Sequence, residues 1–162
     1  KYILKRETIM ADAKPEYVEL LNTIRLQEYG AGIYLKAWAD KTADAGLKHC
    51  LSFVAEREVS HGDLMDRHIR ELGFQPEGTE DGNFKERMEI LGSDMSDAEK
   101  IQCIKEAAQK QEKPTVRDKY IVAAHDPAVD PLTRTLLGWF ADGEADSGAM
   151  MSQTYKNVDG VN

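Results

Sequence analysis

Four stretches of this chain place an apolar residue every three or four positions, and none alternates apolar with polar residues. Helical faces repeat at 3.6 residues and strand faces at 2, so the pattern predicts an all-α chain without a sheet. The first stretch runs from about Pro15 to Asp40, with Leu21, Ile24, Ala31, Leu35 and Trp38 on one stripe. The second, about Ala43 to Leu72, carries Leu47, Leu51, Val54, Met65 and Leu72. It stops at Gly73, which suits a helix C-cap. The short link near Lys41–Thr42 makes these two helices antiparallel neighbours. Ser96 and Glu99 form a capping-box pattern that opens a third helix, with Ile101, Ile104 and Ala108 on its apolar face. Pro114 kinks or ends it, and Thr115 to Ala124 reads as its continuation. After a turn over His125–Pro131, a fourth helix runs from about Leu132 to Asn157 with Leu137, Phe140 and Met151 inward. Four amphipathic helices in one domain predict an antiparallel four-helix bundle over residues 15–157.

The remaining segments read as accessories. Residues 1–14 are expected to form an N-terminal extension, with Met10 as the natural start, and 158–162 a frayed tail. Phe74 to Ser93 reads as loop, with a turn of helix around Phe84 to Leu91, and is expected to be the most mobile part. Helix one also carries Tyr34 and Leu26 away from its seam, a face that could pair two chains into a homodimer.

Composition removes several function classes. The 162 residues carry 21 basic and 29 acidic side chains, a net charge of −8. Such a surface disfavours nucleic acid as a partner. Mean hydropathy is −0.54, and no apolar run nears the roughly 18 residues of a membrane span. Cys50 and Cys103 are the only cysteines. They make neither a disulfide framework nor a thiolate metal site, and they fit a reducing, cytoplasmic setting.

The informative positions are those where the apolar stripes fail. Glu28 occupies the seam of helix one, Glu58 and His61 that of helix two, and Glu144, followed by Ser147, that of helix four. Carboxylates are almost never fully buried unless paired or bound to metal, so three of them in three core stripes need a shared explanation. Helices two and four echo each other at an offset of 86 residues: Leu51, Val54, Glu58, His61 and Met65 align with Leu137, Phe140, Glu144, Ser147 and Met151. On that symmetry helix three should mirror helix one and supply a partner for Glu28. Glu112 falls on the face of Ile101 and Ala108, whereas Glu106 points away, so Glu112 is the better candidate. Spacing of three puts Glu58 and His61 one turn apart on one face. Carboxylates with imidazole suit iron or manganese, with zinc as a further candidate. Without metal, burial and mutual repulsion should leave some of these carboxyls protonated.

This arrangement resembles the ferritin-like superfamily, most closely its rubrerythrin-like branch, through Glu28, Glu58 and His61 in Ala55-Glu-Arg-Glu-Val-Ser-His61, and Glu144 in Asp142-Gly-Glu-Ala-Asp-Ser147. The resemblance implies a di-iron centre in a four-helix bundle. Glu28 and His61 would be terminal ligands of one iron, Glu58 and Glu144 bridges, and Glu112 terminal on the second. It further implies ferroxidase, peroxidase or oxygen-dependent oxidoreductase chemistry on a small oxidant such as dioxygen or peroxide. The chain departs from the family at Ser147, which replaces a second histidine, so the expectation is two ions, or one if the Ser147 side is empty. It also lacks a rubredoxin-type cysteine module. The competing expectation is a degenerate, metal-free bundle, in which these residues form an inherited polar layer and the chain serves as an interaction or structural module. His68, farther along the same stripe, reads as a partly buried histidine; a haem ligand is disfavoured because carboxylates share its seam.

Overall fold

The structure, a computed structural model, describes residues 14–158, 160 and 161. The expected N-terminal extension lies, apart from its last residue, outside the described residues. Those described fold into six helices and no strands: α1 Glu16–Lys41, α2 Ala45–Glu71, α3 Phe84–Leu91, α4 Asp97–Lys110, α5 Val116–His125 and α6 Pro131–Tyr155. None is long and apolar enough to cross a membrane.

Local chemistry sets most boundaries. Asp44 caps α2 by accepting from the Leu47 amide. At its other end Gly73 takes φ +87°. The Phe74 amide then reaches the Ile69 carbonyl and the Gly73 amide that of Arg70, the paired bonds of a Schellman turn. Ser96 and Glu99 close a capping box on α4, and Thr115 with Asp118 closes a second on α5. Asp130 caps α6, whose first residue is Pro131, where a missing amide costs nothing. The expected third helix is therefore two helices. Helix α4 stops at Lys110, and residues 111–115, including Pro114, are non-helical.

The long helices alternate in direction. Hydrogen bonds and ion pairs between α1 and α2 join Glu28 to His61, Arg25 to Asp66 and Tyr29 to Asp63. Arg25, nearer the start of α1, meets the later Asp66, while Glu28 and Tyr29 meet the earlier His61 and Asp63, so the two are antiparallel. The same holds for α2 and α6, where Arg57 meets Asp146 and His68 meets Thr133. Contacts run from α1 to α2, α2 to α6, α6 to α5 and α5 back to α1. Two apolar clusters fill the interior. One gathers Trp38, Leu47, Leu51, Val54 and Ile101; the other gathers Leu21, Ile24, Met65, Ile69, Leu137 and Phe140. Along α1, α2 and α6 alike, residues 28, 58, 61, 144 and 147 lie between them, so a polar layer divides the core.

Helix α3 and the loop before it cover α1. Arg25, itself buried, donates to the Glu77 and Gly78 carbonyls, and Asn22 bonds Glu77 through both its amide groups. The segment expected to move is thus tied to α1 at several points. Tyr34 is buried beneath α3 with its hydroxyl on Arg87, and Leu26 packs near Gly78. The face expected to pair two chains is covered from within the chain. Val158, expected in a frayed tail, is buried in the Trp38 cluster.

Close approach of α1 and α2 depends on Gly32. A Cβ there would lie 2.5 Å from Val59 Cγ2 and 3.2 Å from the Ala55 carbonyl oxygen. Valine cannot swing aside cheaply, so the helices must part. Gly32→Ala is expected to lose about 1–2 kcal/mol of stability in urea unfolding, overpacking outweighing better helix propensity. Gly148, with nothing within 4 Å of its Cβ position, is the control: Gly148→Ala should gain up to about 1 kcal/mol.

Candidate metal centre

Three helices deliver four donors to one point in the polar layer. Glu28 comes from α1, Glu58 and His61 from α2, and Glu144 from α6. One donor atom from each lies within 4.8 Å of every other. His61 Nδ1 sits among the three carboxylates, 3.1 Å from Glu28 Oε2, 3.4 Å from Glu144 Oε1 and 3.6 Å from Glu58 Oε2. Glu28, Glu58 and His61 are all buried, while the Glu144 side chain remains 28% exposed. Glu144 is the member of the cluster on the solvent side.

The imidazole is fixed from several directions. Trp139 and Phe140 meet its ring edge-on, with centroids 5.4 and 5.1 Å away. A Cβ at Gly143 would lie 3.3 Å from His61 Nε2, so glycine lets the ring lie against the α6 backbone. Arg57 Nη2 donates to the Gly143 carbonyl at 2.8 Å and Nη1 to Asp146, tying α2 to α6 beside the donors.

Charge is the problem this cluster must solve. Among the described residues its carboxylates pair with no lysine or arginine, only with His61. Burial, reinforced by neighbouring Glu58 and Glu144, pushes the Glu28 carboxyl up to about 10. Burial and the Glu58 charge also raise Glu144. Burial works against a charged Glu58 and a charged His61. Hydrogen bonds from His61 and Glu28 nevertheless hold Glu58 below the usual carboxylate value. Bonds to Glu144, Glu28 and Glu58 raise His61 to about 11. Protons thus occupy a place that a cation could take. Among the described residues Ser147 Oγ is buried without a hydrogen-bond partner, and Glu144 Oε1 has only the 3.4 Å contact with His61 Nδ1; under-satisfied buried oxygens of this kind fit a bound ion or small ligand.

Of the five residues read from the sequence as ligands, Glu28, Glu58, His61 and Glu144 converge. Glu112 does not. It is exposed, one residue past the α4 C-cap Gln111, and stands outside the cluster. Its assignment extended a helical wheel to 112, and the chain leaves helical geometry at 111. The fourth wall is instead α5, which brings buried Tyr120 against Phe140 at 5.0 Å. Burial and the Glu144 and Glu28 charges raise its phenol to about 12. Tyr120 was not singled out from the sequence; the available signal was its place between Val116 and Ala123 at helical spacing. His68 stands apart, its Nε2 2.7 Å from Thr133 Oγ1.

The donor set is hard oxygen plus one imidazole, which fits a divalent transition ion. Donors on one ion, at bonds of about 2.0–2.2 Å, lie at most about 4.4 Å apart; the four donor atoms here all lie within 4.8 Å of one another. No protein-family model, curated protein or solved structure matches the chain.

Proposed function

We propose that the chain is a ferritin-like four-helix bundle, its third helix interrupted, that binds one transition-metal ion through Glu28, Glu58, His61 and Glu144. Iron is the first choice, then manganese, then zinc. The observation that carries this reading is the convergence of three carboxylates on His61 Nδ1 inside a divided apolar core, with no lysine or arginine among the described residues to pair them. Such a layer is costly with protons alone and well matched to a divalent cation. With Glu112 distant and Ser147 in place of histidine, a second ion would have no terminal ligand, which favours one ion over two.

Bound iron would supply one-electron chemistry toward dioxygen or peroxide, the oxidoreductase activity that the resemblance implies. The chain's own residues would hold the ligands in register, exclude bulk water with Phe140, Tyr120 and Trp139, and admit a small oxidant past Glu144. The test is metal content after purification without chelators and after anaerobic ferrous loading. About one ion per chain is expected. Two would restore the di-iron reading, and none would leave the metal-free structural or interaction bundle.

A further inference from the structure

Serines and threonines inside helices can donate to the carbonyl four residues back. Ser60, Thr23, Thr135 and Thr154 all do so here, at 2.9 to 3.0 Å. Ser147 does not. It is 2% exposed, and its Oγ has no partner. The carbonyl it would use belongs to Gly143, and that oxygen already accepts the Arg57 guanidinium at 2.8 Å. With the backbone amide of residue 147 as the second claimant on the same oxygen in a regular helix, both lone pairs are taken.

Ser147 lies one turn from Glu144 on the same face of α6, as His61 lies one turn from Glu58 on α2. It therefore shares the α6 face that carries Glu144 into the cluster. Tyr120, on the neighbouring wall, offers no competing bond to it among the described residues. The α6 side of the cluster also holds Glu144 Oε1, whose one polar contact among the described residues is the 3.4 Å approach to His61 Nδ1.

We propose that Arg57, by occupying the Gly143 carbonyl, keeps the Ser147 hydroxyl free to donate a hydrogen bond to a small oxygen- or nitrogen-donor ligand of two or three atoms, such as peroxide or azide, bound beside the metal. This inference rests on the metal reading above. Ser147 is then a positioning residue for the exogenous ligand and not a ligand of the ion, and Arg57 acts through it. A larger ligand does not fit this reading, because the Ser147 hydroxyl is enclosed between packed helices.

The test uses the cobalt(II)-loaded chain, titrated with sodium azide and followed by its visible d–d absorption. Ser147→Ala should load cobalt as the wild type does and bind azide about tenfold more weakly, the size expected for one hydrogen bond to a charged acceptor. Arg57→Met, which keeps the side-chain packing but frees the Gly143 carbonyl, should weaken azide to a similar degree as Ser147 turns back onto its own helix. The double variant should be no weaker than Ser147→Ala alone. Normal cobalt content with wild-type azide affinity in Ser147→Ala overturns the subsite and leaves the metal centre standing. A wild-type chain that takes up no cobalt, iron or manganese overturns the centre, and the subsite with it.

Discussion

Glu58→Ala is expected to lower metal affinity by at least about 100-fold, since removing even a supporting contact to a ligand costs roughly 10–100-fold. The reason lies in the division of protons. Glu58 is the one carboxylate of the cluster held below its ordinary pKa, by His61 and Glu28. It is the donor that already carries its charge when a cation arrives. Glu28 and Glu144 must first be stripped of a raised affinity for protons. Loss of Glu58 removes the ready ligand and leaves the reluctant ones. Glu144→Ala should cost less, because its side chain is partly open to water, which can take the vacated position. Glu112→Ala should cost nothing, because that residue is exposed beyond the end of α4. Manganese(II) titration of the three variants separates these cases. Full metal uptake by Glu58→Ala would remove the centre from this place, and a loss in Glu112→Ala would return that residue to it.

The contrast between Glu112 and Glu144 also shows how far the sequence could be read. Residues 28, 58, 61 and 144 were legible because each interrupts an apolar stripe inside an unbroken helix, where the 3.6-residue period fixes which face a position occupies. The capping boxes and Gly73 were legible because cap chemistry is local. Glu112 was misplaced by the same periodic argument, carried past a helix end that no cap residue announces: Gln111 closes α4 without a side-chain bond. Tyr120 escaped notice for the converse reason. A tyrosine at helical spacing is ordinary core, and only the packing of α5 against α6 and α1 makes it the fourth wall. The burial of Tyr34 under α3 was likewise invisible, since it depends on Arg25 and Asn22 pinning a loop more than 50 positions away. The bond from Arg57 to Gly143 spans 86 residues. Its separation equals the offset at which α2 and α6 echo each other, so the repeat marked the pair of helices that meet, without revealing the bond.

Metal-free protein is expected to lose stability as pH rises from about 5 to 10, and the metal-loaded form to lose much less. The sign follows from the two groups that hold protons most tightly. Glu28 rises from its ordinary 4.5 to about 10, and His61 from 6.5 to about 11. A group whose folded pKa is raised adds stability that is complete below its unfolded value and lost as pH climbs through the folded one. Both therefore favour folding at low pH and withdraw that support across the neutral and alkaline range. Glu58, held low, runs the other way, and its contribution fades only in acid. Over pH 7 to 10 the folded, metal-free chain therefore holds more protons than the unfolded chain, and its stability falls as pH rises. On the metal reading, an ion would replace those protons. Its binding must release them, so affinity for manganese(II) should rise with pH, and an unbuffered titration should acidify the solution. Because an ion bound only by the folded chain adds stability by mass action, the gap between the two melting temperatures should widen from pH 6 to pH 9. Parallel curves with and without saturating manganese, or a metal-free melting temperature that rises over that interval, would show that the buried carboxylates are not holding the place of a cation.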